Sequence, residues 1–230
     1  MYSSKHFTLL FFLLLTLPIF AQEIKPLNCR FIPLFESPDV LINSGNSNEE
    51  VKIEVAKGRI SKSYQCHTVD GVLSFLDQER KPFSSVRIPK NIQAVILVLI
   101  KTPKTGEKAW KIVPLEDSIE AFPPGGALAV NLHADDIRLI IGETKDTLKS
   151  LESKGYKRPT KRNNFNMASV AFQFKNNKNK WVNAKQTSYR FTETKRYLLL
   201  AYIDPTSKRP AVKTFKDAPR FSTPDSTVEQ

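Results

Sequence analysis

Three places in this 230-residue chain bring together side chains that could do chemistry. In "NLHADDIRL", His133, Asp135 and Asp136 put one imidazole and two carboxylates within four residues, the donor types that hold a divalent metal or move a proton. Residues two apart on a strand point to the same side, so His133 and Asp135 could share a ligand. A third and fourth ligand are missing from the local sequence, so no metal and no cofactor are expected. Aspartates between two apolar runs more often bond their own backbone in a turn. That use explains Asp135 or Asp136 and leaves His133 without a structural reason. In "CHTVD", Cys66, His67 and Asp70 are the parts of a thiol nucleophile and its base. Adjacent residues on a strand face opposite sides, however, so Cys66 and His67 cannot form that pair.

The third place is basic. "KGYKRPTKRNN" holds Lys154, Lys157, Arg158, Lys161 and Arg162, with Pro159 preventing a regular helix, and the later tip "NNKNKW" adds Lys178, Lys180 and Trp181. Guanidinium and ammonium groups beside an aromatic ring suit phosphate, sulfate or carboxylate groups on an envelope polymer, a lipid surface or another envelope protein. The plainer use of such a run is an exposed loop kept soluble by its charge. The phosphate-cradling Gly-rich loop, the nucleophile elbow, His-Glu-x-x-His and Cys-x-x-Cys are all absent from the sequence, so a non-catalytic protein is expected.

The elements that must position these residues begin after a leader. Lys5 precedes an apolar run from Phe7 to Phe20, then Ala21 and Gln22. This is the layout of a signal peptide cut after Ala21, and its apolar stretch is shorter than the roughly 20 residues of a membrane span. Export to the periplasm, cell surface or medium is therefore expected, without a transmembrane segment in the mature chain, and nucleic acid is not an expected partner. The net charge of +12 is uneven. Residues 22–117 hold 14 basic and 12 acidic groups, whereas residues 118–230 hold 20 and 11. The second half would thus concentrate anionic partners. The two cysteines, Cys29 and Cys66, both lie in the first half. In an oxidising compartment they form a disulfide or remain two buried thiols.

The chain reads twice. "NIQAVILVLIKTPKTGEKAWKIVPLED" (91–117) sets over "ETKRYLLLAYIDPTSKRPAVKTFKD" (193–217), "VLSFL" over "VAFQF", and "LNCRFIPLF" over "ALAVNLHAD", all about 100 residues apart. Fifteen Pro against eight Gly, with many Val, Ile, Phe and Tyr, favour short strands joined by irregular turns. The expectation is all-β: a domain over 22–117, a linker over 118–126 with paired prolines, a basic domain over 127–217 and a disordered tail over 218–230. Two tandem β-sandwich domains fit this spacing of strands. "TKDTLKSLESKG" (144–155) is the best helix candidate, with a strand and its turn as the alternative.

Within the second copy, "ALAVNLHADDIRLIIGE" (127–143) runs strand, Asn-containing turn, strand, Gly. It resembles the opening of β-sandwich repeat domains of secreted bacterial proteins. The resemblance implies an immunoglobulin-like fold at the cell envelope and brings no functional residues with it. Copy one departs from it, with "FIPLFESPDVLINSG" in place of the Asn turn. The leading expectation is an exported structural or binding module with a basic second domain. The alternatives are a secreted hydrolase or carbohydrate-active enzyme, and a periplasmic chaperone-like protein that binds strands at a sheet edge.

Overall fold

The computed structural model describes residues 23–38, 40–45, 50–104 and 109–218. The expected leader (1–21) and all but Ala218 of the expected tail lie outside the described residues. The fold is all-β. The first half contains β1 (Ile24–Pro33), β2 (Val40–Asn43), β3 (Val51–Glu54), β4 (Tyr64–Val69), β5 (Val72–Leu76), β6 (Pro82–Arg87), β7 (Ala94–Lys101) and β8 (Trp110–Glu116). The second contains β9 (Ala127–Asn131), β10 (Ile137–Ile141), β11 (Thr144–Leu148), β12 (Ser153–Tyr156), β13 (Met167–Lys175), β14 (Trp181–Arg190), β15 (Arg196–Ile203) and β16 (Pro210–Asp217).

The pairing pattern of the first eight strands recurs in the second eight. In the second half the sheets are β11-β10-β13-β14 and β12-β9-β15-β16. In the first half the equivalent neighbours are β3-β2-β5-β6 and β4-β1-β7-β8, joined into one eight-stranded sheet by the Val69↔Val72 pair of the β4–β5 hairpin. The parallel pairs also correspond, β1 with β7 and β9 with β15. The helix candidate at 144–155 is instead β11, a turn and β12. Lys145, Asp146 and Thr147 alternate opposite Ile140, Leu139 and Arg138, and Leu151 takes a left-handed φ of 62° in the turn. Tertiary pairing with β10 and β9 thus overrides the Leu148/Leu151 helical spacing.

Three apolar clusters show how the sheets stack. One lies between the two arms of the first half, with Leu27, Cys29 and Phe31 of β1 and Val95, Leu97 and Leu99 of β7 facing Leu41, Ile53, Leu73 and Phe75. A second lies between the two sheets of the second half, where Tyr197, Leu199 and Ala201 of β15 meet Leu139, Ile141, Val170, Phe172 and Phe174. The third lies between the halves and takes the opposite faces of the same central strands: Ile32, Ile96 and Val98 against Leu128, Val130, Leu198 and Leu200. The strands "AVILVLI" and "YLLLAYI" are therefore apolar at nearly every position because both faces are covered. The result is a stack of four layers, with the two chemically plainest sheets inside.

Phe122, from the expected linker, is fully buried in the middle cluster. Beside it Arg30 and Arg196 meet Asp117, the residue just after β8, and Asp217, the last residue of β16. Arg30 grips Asp217 through both terminal nitrogens at 3.1 and 2.8 Å and lies 3.1 Å from Asp117 through Nε. Arg196 donates to Asp217 and Asp117 at 2.7 Å each and to the Phe122 carbonyl at 2.7 Å, with its guanidinium 4.0 Å above the Phe122 ring. Two topologically equivalent carboxylates would repel across this junction, and the two arginines neutralise them.

Candidate functional site

The outer face of the β11-β10-β13-β14 sheet is the last layer of the stack, and its composition follows from strand alternation. Leu139, Ile141, Val170, Phe172 and Phe174 point inward to the core. The positions between them point out. The register sets Lys145 beside Ile140, Ala171 and Gln186, sets Thr147 beside Arg138, Gln173 and Asn183, and places Lys175 opposite Trp181. Ser169 lies opposite Ser188 and Met167 opposite Arg190 at the far end. Arg138, Lys145, Lys175 and Arg190 thus share a face on which the four strands place no carboxylate. The one acid within these strands, Asp146, pairs with Leu139 and so turns to the inner side. There it takes Lys154 at 2.5 Å and the Tyr156 hydroxyl at 3.2 Å, and the lysine holds its pKa below the usual carboxylate range.

Trp181 organises one end of the face. The Arg138 guanidinium lies 4.3 Å from the centre of its ring and the Lys175 ammonium 5.3 Å, within the range of cation–π attraction. Arg138 also reaches toward the Gln173 carbonyl oxygen at 3.5 Å. Gln173 donates to Asn183 at 2.9 Å, and Asn183 donates to Gln186 at 3.2 Å. A chain of amides therefore crosses the sheet, beginning at the guanidinium. Among the described residues, no ion pair engages Arg138, Lys145, Lys175, Lys178, Lys180 or Arg190. Acids occur only at the rim: Asp135 and Asp136 before β10, with Asp136 held by Lys149 at 2.8 Å, and Glu143 in the β10–β11 turn.

The structure divides the basic residues singled out in the sequence. Lys178, Lys180 and Trp181 lie at the β13–β14 tip, where Asn176 accepts from the backbone of Lys178 and Lys180. The run 154–162 lies at the other end of β13, with Pro159 packed toward Gly142. Eight residue steps of β13 separate the two ends, about 27 Å. Within the run, Lys154 is bound to Asp146, Arg158 lies 3.1 Å from Glu193, and Arg162 donates to the Pro159 carbonyl. Glu143 clamps the loop, accepting from the Thr160 hydroxyl at 2.7 Å and from the Thr160 and Lys161 amides at 2.8 and 3.1 Å. These bonds lower its pKa to about 2. Lys157, Lys161 and Arg162 are the cations of the loop with no ion pair among the described residues, Arg162 being tied to a backbone carbonyl instead. Arg138, Lys145, Lys175 and Arg190 were not singled out by sequence, because they are dispersed over four strands. The signal that could have found them is the alternation of each strand.

The other candidates resolve into structure. His133 Nδ1 accepts from the Asp135 amide at 2.8 Å, and the ring packs edge-on to Phe174 at 5.5 Å. Asn131, fully buried, accepts from the His133 amide and donates to the carbonyls of Asp135, Leu148 and Lys149. "NLHADD" is thus a turn in which Asn131 and His133, rather than the aspartates, bond the backbone. Cys29 and Cys66 are buried free thiols in contact on neighbouring strands, and the Cys66 thiol and then burial push the Cys29 thiol far up. A cleft of about 1030 Å³ opens at the start of β1, lined by Lys25, Leu27, Asp70, Arg87, Ile88 and Lys90, and a second of about 680 Å³ lies beside Trp110. Neither takes His67 or His133 into its lining. Among the described residues no three His, Cys, Asp or Glu side chains gather as a metal site, and no helix is long and apolar enough to cross a membrane. No family model matches this chain, and no curated protein matches it.

Proposed function

We propose that the protein is an exported, non-catalytic binding module of the cell envelope, built from two tandem β-sandwich copies of broadly immunoglobulin-like kind. Its second copy takes an anionic partner on the outer face of β11-β10-β13-β14. The observation that carries this reading is the face itself: Arg138, Lys145, Lys175 and Arg190 without a carboxylate among them, and Trp181 holding two of the four cations in place. Clustered cations attract a polyanion, and those already held in place, Arg138 and Lys175, lose little side-chain freedom on binding it. The recurrence of one strand-pairing pattern in both halves supports the duplication. The back-to-back packing of the central sheets supports a rigid pair that presents its outer layers to partners.

The test is retention of the mature protein on an anionic polymer column as salt is raised. The quadruple variant R138S/K145S/K175S/R190S is expected to elute at clearly lower salt than wild type, because each phosphate- or carboxylate-type contact contributes to the salt dependence. A matched quadruple variant at Lys52, Lys57, Arg59 and Lys62 of the first half controls for net charge. Equal shifts in the two variants would show that total charge, not this face, sets retention.

A further inference from the structure

The proposed face carries more than charge, and what it adds points to a class of ligand. Across the middle of the sheet Gln173, Asn183 and Gln186 form a directed chain: Arg138 donates to the Gln173 amide oxygen, Gln173 donates to Asn183, and Asn183 donates to Gln186, where the chain ends. An amide nitrogen has two donors and its oxygen two acceptor sites, so each member keeps hydrogen-bonding capacity toward solvent after the chain is made. All three point outward, and Asn183 and Gln186 are exposed. Ser169, Ser188 and Thr147 extend the same polar surface. A partner that merely carries charge makes no use of these groups. A partner whose charged groups alternate with hydroxyls would use both.

We infer that the occupant of this face is an acidic polysaccharide: a hydroxyl-rich chain bearing carboxylate or sulfate groups, with the acids on Arg138, Lys145 and Lys175 and the hydroxyls on Gln173, Asn183 and Gln186. The inference rests on the anion-binding reading above. The absence of outward carboxylates and the spread of cations over four adjacent strands provide complementary charge for an extended polyanion. Single-stranded nucleic acid is disfavoured because its binding relies on aromatic rings free to stack on bases, whereas both Arg138 and Lys175 lie over the ring of Trp181. A bilayer surface is disfavoured because the apolar residues at outward positions, Ile140, Ala171, Met167 and Trp181, are buried or half-buried among polar neighbours, and the one large, well-exposed apolar residue on these strands, Val182, pairs with the inward Phe174.

The experiment compares the full mature protein with two variants: the amide variant Q173A/N183A/Q186A, which keeps every charge, and the charge variant R138S/K145S/K175S/R190S. The probes are polygalacturonate, dextran sulfate, polyglutamate as an anion without hydroxyls, neutral dextran, single-stranded DNA and phosphatidylglycerol vesicles. Wild type is expected to bind one or both acidic glycans more tightly than polyglutamate. The amide variant is expected to lose about tenfold or more of that glycan affinity, as three lost hydrogen bonds imply, with polyglutamate binding unchanged. The charge variant is expected to lose all anionic probes. Equal affinity for polyglutamate and the glycans, or an amide variant that binds glycans like wild type, would overturn the polysaccharide inference and leave the anion reading standing. Tighter binding of DNA or vesicles than of either glycan would also overturn it. A charge variant indistinguishable from wild type would overturn both. Should the triple variant melt early, N183A alone, at an exposed position, gives the same comparison.

Discussion

At the scale of single residues, the close spacing of polar groups proves a poor guide to chemistry. His133, Asp135 and Asp136 are adjacent in sequence, yet the bonds that matter run from Asn131 and His133 to the backbone of their own turn. The H133A variant is expected to lose about 1 kcal/mol of stability, the worth of one partly exposed hydrogen bond. The N131A variant is expected to lose about 3 kcal/mol, since it frees several buried carbonyls at once. Urea unfolding of the two variants checks the order, and a larger loss in H133A would contradict this account of the turn. The thiols supply a second prediction. With Cys29 and Cys66 both fully buried, the native protein is expected to give no thiol titre at pH 8, and the denatured protein to give its two cysteines. A denatured, unreduced protein with no titre and a mass two hydrogens lower would place a disulfide there instead.

At the scale of elements, the basic run 154–162 is a tethered loop. Glu143 ties it down, and the sign of the pH effect follows from that carboxylate. Its folded pKa of about 2 lies below the ordinary 4.5. The tether is therefore fully present above about pH 4.5 and is lost as pH falls through about 2. Trypsin cleavage after Lys157, Lys161 or Arg162 reports on the loop at neutral pH, the Arg158–Pro159 bond being resistant. E143A is expected to be cut several-fold faster than wild type within this run, and cleavage elsewhere is expected to stay the same. An unchanged cutting pattern would mean that Pro159, buried against Gly142, holds the loop without Glu143. The element scale also shows why the candidate face was half legible. Trp181 and its neighbouring lysines stand out in a linear reading. Arg138 and Lys175 join them only when β10, β13 and β14 lie side by side in one register.

At the scale of the whole molecule, the junction between the halves combines an apolar seam with four charges. Arg196 and Asp117 are almost wholly buried, so removing one member leaves an uncompensated charge inside. R196M is expected to cost about 3–5 kcal/mol in urea unfolding. Replacing all four together, as R30M/D117L/R196M/D217L, is expected to recover most of that loss, because an apolar set of similar volume needs no desolvation. A quadruple variant as unstable as R196M would show that the charges hold the two halves in register. Asp117 carries its own pH signature. Burial raises its pKa against the pull of Arg30 and Arg196, so its contribution to stability falls as pH rises from about 3.8 through the raised value. D117N is expected to flatten that part of the stability profile and to cost less than R196M.

The sequence by itself determined the all-β class, the central strands covered on both faces and the recurrence of similar strands at one offset. Each of these is a local property: β-branched and aromatic content, the period of apolar positions, and turn residues between them. It also located an aromatic among cations at the β13–β14 tip. Only the tertiary structure decided that 144–155 is strand rather than helix, that Asp117 after β8 and Asp217 at the end of β16 meet two arginines, and that the cations of one face gather without a carboxylate. Those outcomes depend on which strands pair and in which register, and a register is a contact between residues far apart in the chain. Strand alternation fixes that a side chain points to one of two faces, and the packing of the four layers decides which of them is left to a partner.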